Sequence, residues 1–141
     1  MTEWAGVGLL RAAKNGNARN VRLMLTRGSD VNAADETGAT ALMHSANKGH
    51  LESAQALMEA GADVNICDSS GWTALLRAAQ HGHAECIDAL IGAGAEVNVQ
   101  DRLGWNPLLR ACREGSIGAV KSILAAGSEL DARNAEGNTA L

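Results

Sequence analysis

The stretch Asp68-Ser-Ser-Gly71-Trp-Thr73-Ala-Leu75 decides the fold, together with Gly82-His83 and Gly94-Ala-Glu-Val-Asn98 further along the chain. It combines a turn signal, Asp followed by Gly, with a threonine directly before an apolar segment. A hydroxyl in that position can accept a hydrogen bond from a free amide of the first helical turn. The stretch therefore predicts a short helix that stops at Gly82, a second helix over Ala84–Ile91, and an extended return segment after Gly94.

The same pattern recurs every 33 residues along the chain. Glycine marks the period in three phases: Gly38, Gly71, Gly104 and Gly137; Gly16, Gly49, Gly82 and Gly115; and Gly28, Gly61, Gly94 and Gly127. Thr40, Thr73, Thr139 and the pair Asn106-Pro107 stand at the predicted helix starts. A period of this length is typical of a solenoid, in which each unit packs only on its neighbours. The units are residues 2–34, 35–67, 68–100 and 101–133, with a partial unit at 134–141.

This phased pattern resembles the ankyrin repeat, and the resemblance extends from Thr2 to Leu141. It implies an all-α fold, an ankyrin-repeat solenoid of paired antiparallel helices with β-hairpin-like turns, which forms a single domain over residues 1–141. The first helices read Thr40-Ala-Leu-Met43, Thr73-Ala-Leu-Leu76 and Asn106-Pro-Leu-Leu109, whereas units of the family typically read Thr-Pro-Leu-His. The histidine that usually links neighbouring repeats is therefore absent from this position.

Composition excludes several classes of protein. A net charge of −4 and a pI of about 5.5 do not favour a nucleic-acid binder. No apolar run reaches the ~20 residues needed to span a membrane, and the N-terminus lacks the basic and apolar segments of a signal peptide. The cysteines, Cys67, Cys86 and Cys112, are odd in number and widely spaced, which indicates reduced thiols. These features predict a cytoplasmic or otherwise intracellular protein.

The sequence lacks the common catalytic and metal-binding motifs. His81-Gly82-His83 is the nearest approach to a metal pair, but His83 shares its phase with His50 and so belongs to the repeat pattern. Asp35, Asp68 and Asp101 occur once per unit and begin turns, so they are not arranged as a paired acid and base. We therefore expect neither an enzyme nor a bound cofactor or metal.

All three tryptophans map to one surface. The resemblance implies that the turn tips and the exposed sides of the first helices form a concave surface, the inner face. Trp72 and Trp105 follow turn glycines in the same phase of adjacent units, and Trp4 precedes the equivalent turn of the first unit. None of them is required for the core, so we expect an aromatic edge with rings about 8–10 Å apart.

Basic residues map to the same face. One phase of the first helices reads Arg11, His44, Arg77 and Arg110; Lys14, Lys48, Arg102, Arg113 and Arg133 lie nearby in the predicted arrangement. Trp and Arg are the residues most enriched at binding hot spots, and a positive face attracts anionic partners. The candidate partner-binding residues are therefore Trp72, Arg77, Trp105, Arg110, His44, Arg11, His81, Arg102 and Arg113.

Three interpretations of function remain open. The first is a protein-interaction module whose partner has an acidic or mixed acidic-apolar surface. The second is a sensor of a nucleotide, small anion or oligonucleotide, because an aromatic ring can stack on a base while Arg or Lys pairs with phosphate. The third is a fragment of a larger ankyrin-containing protein, since residues 134–141 begin a fifth unit. The alternative to a truncated chain is that a partner chain, or a second copy of this chain, packs against Ile117, Val120 and Leu124.

Overall fold

The computed structural model describes residues 2–127, with side chains from residue 6 onward. This part of the chain contains eight α-helices: α1 Thr2–Lys14, α2 Ala18–Thr26, α3 Ala41–Lys48, α4 Leu51–Glu59, α5 Ala74–Gln80, α6 Ala84–Gly92, α7 Pro107–Glu114 and α8 Ile117–Ala125. It holds no β-strand, and the segments that follow the second helices are turns and irregular backbone. The all-α solenoid predicted from the sequence is confirmed. Arg133, Thr139 and the partial unit 134–141 lie outside the described residues.

The helix starts follow the predicted capping pattern. Thr40 and Thr73 each accept a hydrogen bond from the amide three residues later, at 3.3 Å. Asn106 does the same for Leu109 at 2.8 Å, and Pro107 occupies the first helical position. These caps satisfy amides that would otherwise lack a partner at the buried start of each first helix.

The helix ends also follow the predicted capping pattern, with one difference. Gly49 and Gly115 cap α3 and α7 in the left-handed conformation. Helix α5 ends one residue earlier, at Gln80, so that His81 is its cap residue and Gly82 takes the left-handed conformation just beyond. The turn between the two helices of the third unit is therefore one residue longer than predicted.

The first unit departs from the other three. Helix α1 is 13 residues long, whereas α3, α5 and α7 have 8, 7 and 8 residues. Its additional N-terminal residues occupy the positions at which the later units form a turn. The expectation that Trp4 precedes a turn is therefore wrong, because Trp4 is part of α1. Its side chain lies outside the described residues.

The helices stack in two layers, α1-α3-α5-α7 and α2-α4-α6-α8, and each packs on its neighbours in the array. One leucine per unit occupies the centre of the first layer: Leu9, Leu42, Leu75 and Leu108, each no more than 1% exposed. Alanines such as Ala46 and Ala79 fill the spaces between first helices and are completely buried. Small side chains at these positions allow the thin helical layers to approach closely.

Neighbouring turns also stack directly. The amide of Arg102 donates to the carbonyl of Ser70, 3.4 Å away in the preceding turn. Gly71 has a φ of 79°, and a Cβ added there would lie 3.3 Å from the backbone nitrogen of Arg102. The turn tips of the third and fourth units are therefore held side by side, which aligns the side chains they carry.

Candidate interaction surface

Each turn aspartate holds its own turn closed. One carboxylate oxygen of Asp68 accepts from the amides of Ser70 and Trp72, at 2.8 and 3.0 Å. The amide of Asp68 in turn donates to the carbonyl of Trp72 at 2.9 Å. Asp101 makes the equivalent bonds to Leu103 and Trp105. The turn-initiating role predicted for these aspartates is confirmed.

The second carboxylate oxygen of each aspartate binds the cationic or histidine side chain nine residues later. Asp35 pairs with His44 at 2.9 Å, and Asp68 pairs with Arg77. Asp101 pairs with Arg110 at 2.5 Å, where the arginine side chain is only 13% exposed. The predicted row of cations is therefore a row of ion and hydrogen-bonded pairs in these three units, which neutralises the charge of Arg77 and Arg110.

Two tryptophans and three arginines form a continuous stack, the Trp–Arg stack. The guanidinium of Arg110 lies 4.4 Å from the ring centroids of both Trp72 and Trp105. Arg77 lies 5.0 Å from Trp72, and Arg113 lies 5.3 Å from Trp105. Each cation–π contact of this kind contributes about 0.5–2 kcal/mol, with the larger values at desolvated sites. The stack thus joins the third and fourth units through their side chains.

Trp72 and Trp105 differ in exposure. Trp105 is 7% exposed, whereas Trp72 is half-buried. The expectation that no tryptophan contributes to the packed interior is therefore wrong for Trp105, since little of its surface is left for an outside molecule. The cause is the stack, because Arg110 is fixed against this ring by its ion pair with Asp101.

His44 occupies the same phase as the arginines but differs in its electrostatics. Burial lowers the pKa of His44; the hydrogen bond to Asp35 opposes the shift only in part, and the charges of Lys14 and Arg77 add to it. Burial raises the pKa of Asp35, but hydrogen bonds, chiefly from Thr37 and His44, outweigh that effect and hold the pKa below its usual range. At neutral pH a neutral His44 therefore donates from Nε2 to an ionised carboxylate.

The remaining candidate residues are exposed: Arg11, His81, Arg102 and Arg113. None of them forms an ion pair with another described residue. Lys14 and Lys48 are exposed and unpaired in the same sense. A shallow pocket of about 270 Å³ brings His81 and Arg113 together at the C-terminal ends of α5 and α7. Arg11 belongs to the opposite end of the array, two units away, so the candidates do not form one compact cluster.

The histidine pair 81–83 takes part in packing between units. The two ring centroids are 5.8 Å apart, and Nε2 of His83 donates to the carbonyl of Asn47 at 3.1 Å, which ties the third unit to the second. Within residues 2–127, no group of three or more histidines, cysteines or acids could hold a metal ion.

Leu103 is the residue that sequence reasoning missed. It lies at the tip of the turn next to that of Trp72, and it is 61% exposed. The equivalent positions of the second and third units are Thr37 and Ser70. An alignment of the units could have found it, since leucine replaces a hydroxyl residue at a position that faces solvent.

Repeated helix pairs with a continuous side-chain surface along one layer define the class of protein, a helical repeat protein built by stacking equivalent units. The family model described as ankyrin repeats (3 copies) matches residues 9–101 and again residues 78–141. The chain belongs to the ankyrin-repeat family. No curated protein sequence matches the chain.

Membership of this family indicates a general class of function. Ankyrin-repeat domains are generally protein-interaction modules and are typically not enzymes. None of the helices within residues 2–127 has the length and apolar character needed to cross a membrane.

Proposed function

We propose that this chain is a protein-interaction module that binds its partner on the inner face, with Trp72 at the centre of the contact. The observation that carries the proposal is the Trp–Arg stack. Arg77 and Arg110 hold the ring of Trp72 in place while leaving part of it exposed. A fixed aromatic side chain loses little conformational freedom on binding, and this favours its use as an anchor.

The surroundings of Trp72 support a partner of mixed acidic and apolar chemistry. Leu103 extends the apolar area from the neighbouring turn tip. Arg102 and Arg113, both exposed, flank it with positive charge. The partner in this proposal presents a mixed acidic-apolar surface, with apolar side chains against Leu103 and the exposed part of Trp72 and carboxylates at the rim.

Arg77 and Arg110 support the anchor in this proposal, whereas their phase in the sequence predicts direct contact with a partner. Their charges are satisfied by Asp68 and Asp101, so they support Trp72 and do not attract an anion. Arg110 also has a buried Nε without a hydrogen-bond partner. Replacing either arginine would therefore disturb the anchor indirectly, through the position of the ring.

A nucleotide is the less favoured ligand. A base that stacks on Trp72 must reach a ring face, and two guanidinium groups already lie within 5.0 Å of the ring centroid. Displacing them would break cation–π contacts that the base would have to replace. Titration with ATP and short oligonucleotides should therefore leave the tryptophan fluorescence unchanged, and a saturable change would favour the nucleotide sensor.

The test of the proposed face is capture of the partner from a lysate of the source cells, followed by measurement of its affinity for purified variants. Trp72→Ala and Leu103→Ser should each weaken binding by about 2 kcal/mol, the range of a hot-spot residue. Leu23→Ser is the matched control, because Leu23 is exposed on α2 in the other helical layer. A loss with Leu23→Ser, or full affinity in Trp72→Ala, would contradict the proposal.

A further inference from the structure

We infer that the inner face has a second charged contact besides the rim of Trp72, a basic patch at its N-terminal end, formed by Arg11, Lys14 and Lys48, which binds an acidic segment of the partner. This inference rests on the proposed function and adds to it the location and chemistry of a second contact. The candidate cations Arg77 and Arg110 do not belong to this patch, because aspartates of their own turns already neutralise them.

The patch arises from a break in the repeat. In the last three units the cationic or histidine residue of the first helix pairs with an aspartate nine residues earlier in the chain. The corresponding position for Arg11 is residue 2, which is threonine and has no carboxylate. Helix α1 also runs through the positions where the other units form the turn. Arg11 is therefore left exposed, and it makes no ion pair with any other described residue.

Two lysines extend this unpaired charge. Lys14 follows Arg11 by one helical turn in α1, and Lys48 lies in the last turn of the adjacent helix α3. The end of α1 is tied to the short segment between α3 and α4, since Nε2 of His50 donates to the carbonyl of Lys14 at 3.2 Å. Both lysines are exposed and without an ion pair among the described residues. Three cations without an ion pair among the described side chains thus lie in the last turns of two packed helices.

One acid lies close to the patch but forms no ion pair with it. Asp35 lines the same shallow hollow of about 270 Å³ as Arg11 and Lys14. Its carboxylate is already occupied by Thr37 and His44, at 2.6 and 2.9 Å. No ion pair joins Asp35 to Arg11 or Lys14. Asp35 offsets part of the positive charge, but the side chains of Arg11 and Lys14 remain available for carboxylates supplied by another molecule.

The arrangement gives the partner a direction along the array. Its acidic segment meets Arg11, Lys14 and Lys48 in the first two units, and its apolar segment meets Trp72 and Leu103 in the third and fourth. First helices that pack about 8–10 Å apart place the two contacts roughly 16–20 Å from each other. An extended chain of about five or six residues spans that distance.

The test uses a fluorescently labelled peptide of six glutamates as the probe, with a peptide of six glutamines as its neutral control. The native chain is compared with Arg11→Gln/Lys14→Gln/Lys48→Gln. The matched variant Arg19→Gln/Arg27→Gln/Lys121→Gln removes the same charge from exposed residues in or next to the second helices. Thermal melts of both triple variants establish that they remain folded.

The patch predicts that the glutamate peptide binds the native chain and the Arg19/Arg27/Lys121 variant within twofold of each other. The Arg11/Lys14/Lys48 variant should bind it at least tenfold more weakly, and the glutamine peptide should not bind. Equal losses in the two triple variants, or no binding of the glutamate peptide to the native chain, would overturn the inference.

The same variants separate this inference from the proposed function. Trp72→Ala should lose the captured partner but keep its affinity for the glutamate peptide, because Trp72 is not part of the patch. If the patch variant binds both the peptide and the partner as the native chain does, while Trp72→Ala loses the partner, the patch is wrong and the interaction face stands. If Trp72→Ala binds the partner as tightly as the native chain does, the proposed function is contradicted whatever the result for the patch.

Discussion

Gly49 shows how closely the repeat constrains a single residue. It caps α3 with a φ of 72°, a left-handed conformation that costs a residue with a side chain about 1–2 kcal/mol. In addition, a Cβ at this position would lie 2.7 Å from Nδ1 of His83. Gly115 has the same role in α7, with a φ of 81°, but no described atom lies within 4 Å of the added Cβ.

The two glycines therefore form a matched pair for substitution. Gly115→Ala should lower the free energy of unfolding by about 1–2 kcal/mol through backbone strain alone. Gly49→Ala should lower it further, because the His83 ring must also move away from Asn47. Urea unfolding of both variants measures the difference. Equal losses would show that the His83 ring adapts at no cost.

Ser45 is a polar residue at a position where the other three units have alanine: Ala12, Ala78 and Ala111. It is completely buried, and its hydroxyl has no hydrogen-bond partner. Burying an unsatisfied hydroxyl costs about 1–3 kcal/mol, and alanine is also the better helix former. Ser45→Ala should therefore raise the unfolding free energy by about 1 kcal/mol and raise the Tm. A fall in stability would show that the hydroxyl is satisfied in solution.

His44 makes the stability of the fold depend on pH. Because its folded pKa is lowered from the usual 6.5, the unfolded chain binds the proton more readily. The resulting stability is present above about pH 6.5 and is lost as the pH falls below it. His44→Gln should remove this part of the acid destabilisation. Urea midpoints from about pH 7.5 to about pH 5 measure it, and equal slopes in both chains would contradict the assignment.

At the scale of the element, capping signals predicted the helices well because they act locally. Thr40, Thr73 and Asn106 each stand before an apolar segment, and each caps its helix in the structure. Helix α1 was not predicted correctly. The first unit lacks the aspartate and glycine that form the later turns, and nothing in its sequence then stops the helix from extending to Thr2.

The Trp–Arg stack could be predicted only in part. The phases of Trp72, Trp105 and the arginines were visible in the sequence, and they do place these residues in adjacent layers. The pairing of each arginine with the aspartate nine residues earlier was equally periodic. Each phase has a sufficient explanation of its own, one as a turn signal and the other as a binding surface, so the sequence alone does not indicate that the two side chains are paired. Burial of Trp105 follows from that pairing.

The stack also predicts how the two tryptophans affect stability. Trp105→Ala removes a nearly fully buried ring and should cost about 3–5 kcal/mol, whereas Trp72→Ala should cost distinctly less. Thermal and urea unfolding of the two variants gives the comparison. Equal destabilisation would mean that Trp72 is as much a part of the packed interior as Trp105 and is not an anchor for a partner.

At the scale of the whole molecule, the inner face has two chemically different ends. The first two units carry the basic patch, and the third and fourth carry Trp72 and Leu103. The period of 33 residues predicted the architecture but not this division, because the division depends on which units depart from the repeat. Thr2 in place of an aspartate and Leu103 in place of a hydroxyl residue are such departures.

The most direct test of the central claim is amide hydrogen exchange of the native chain with and without its captured partner. The proposed face predicts slower exchange in the turns at 68–72 and 101–105 and in the exposed first-helix segments, with no change in α2, α4 and α6. Protection confined to those second helices, with the turns unaffected, would contradict the account and place the interaction on the opposite layer.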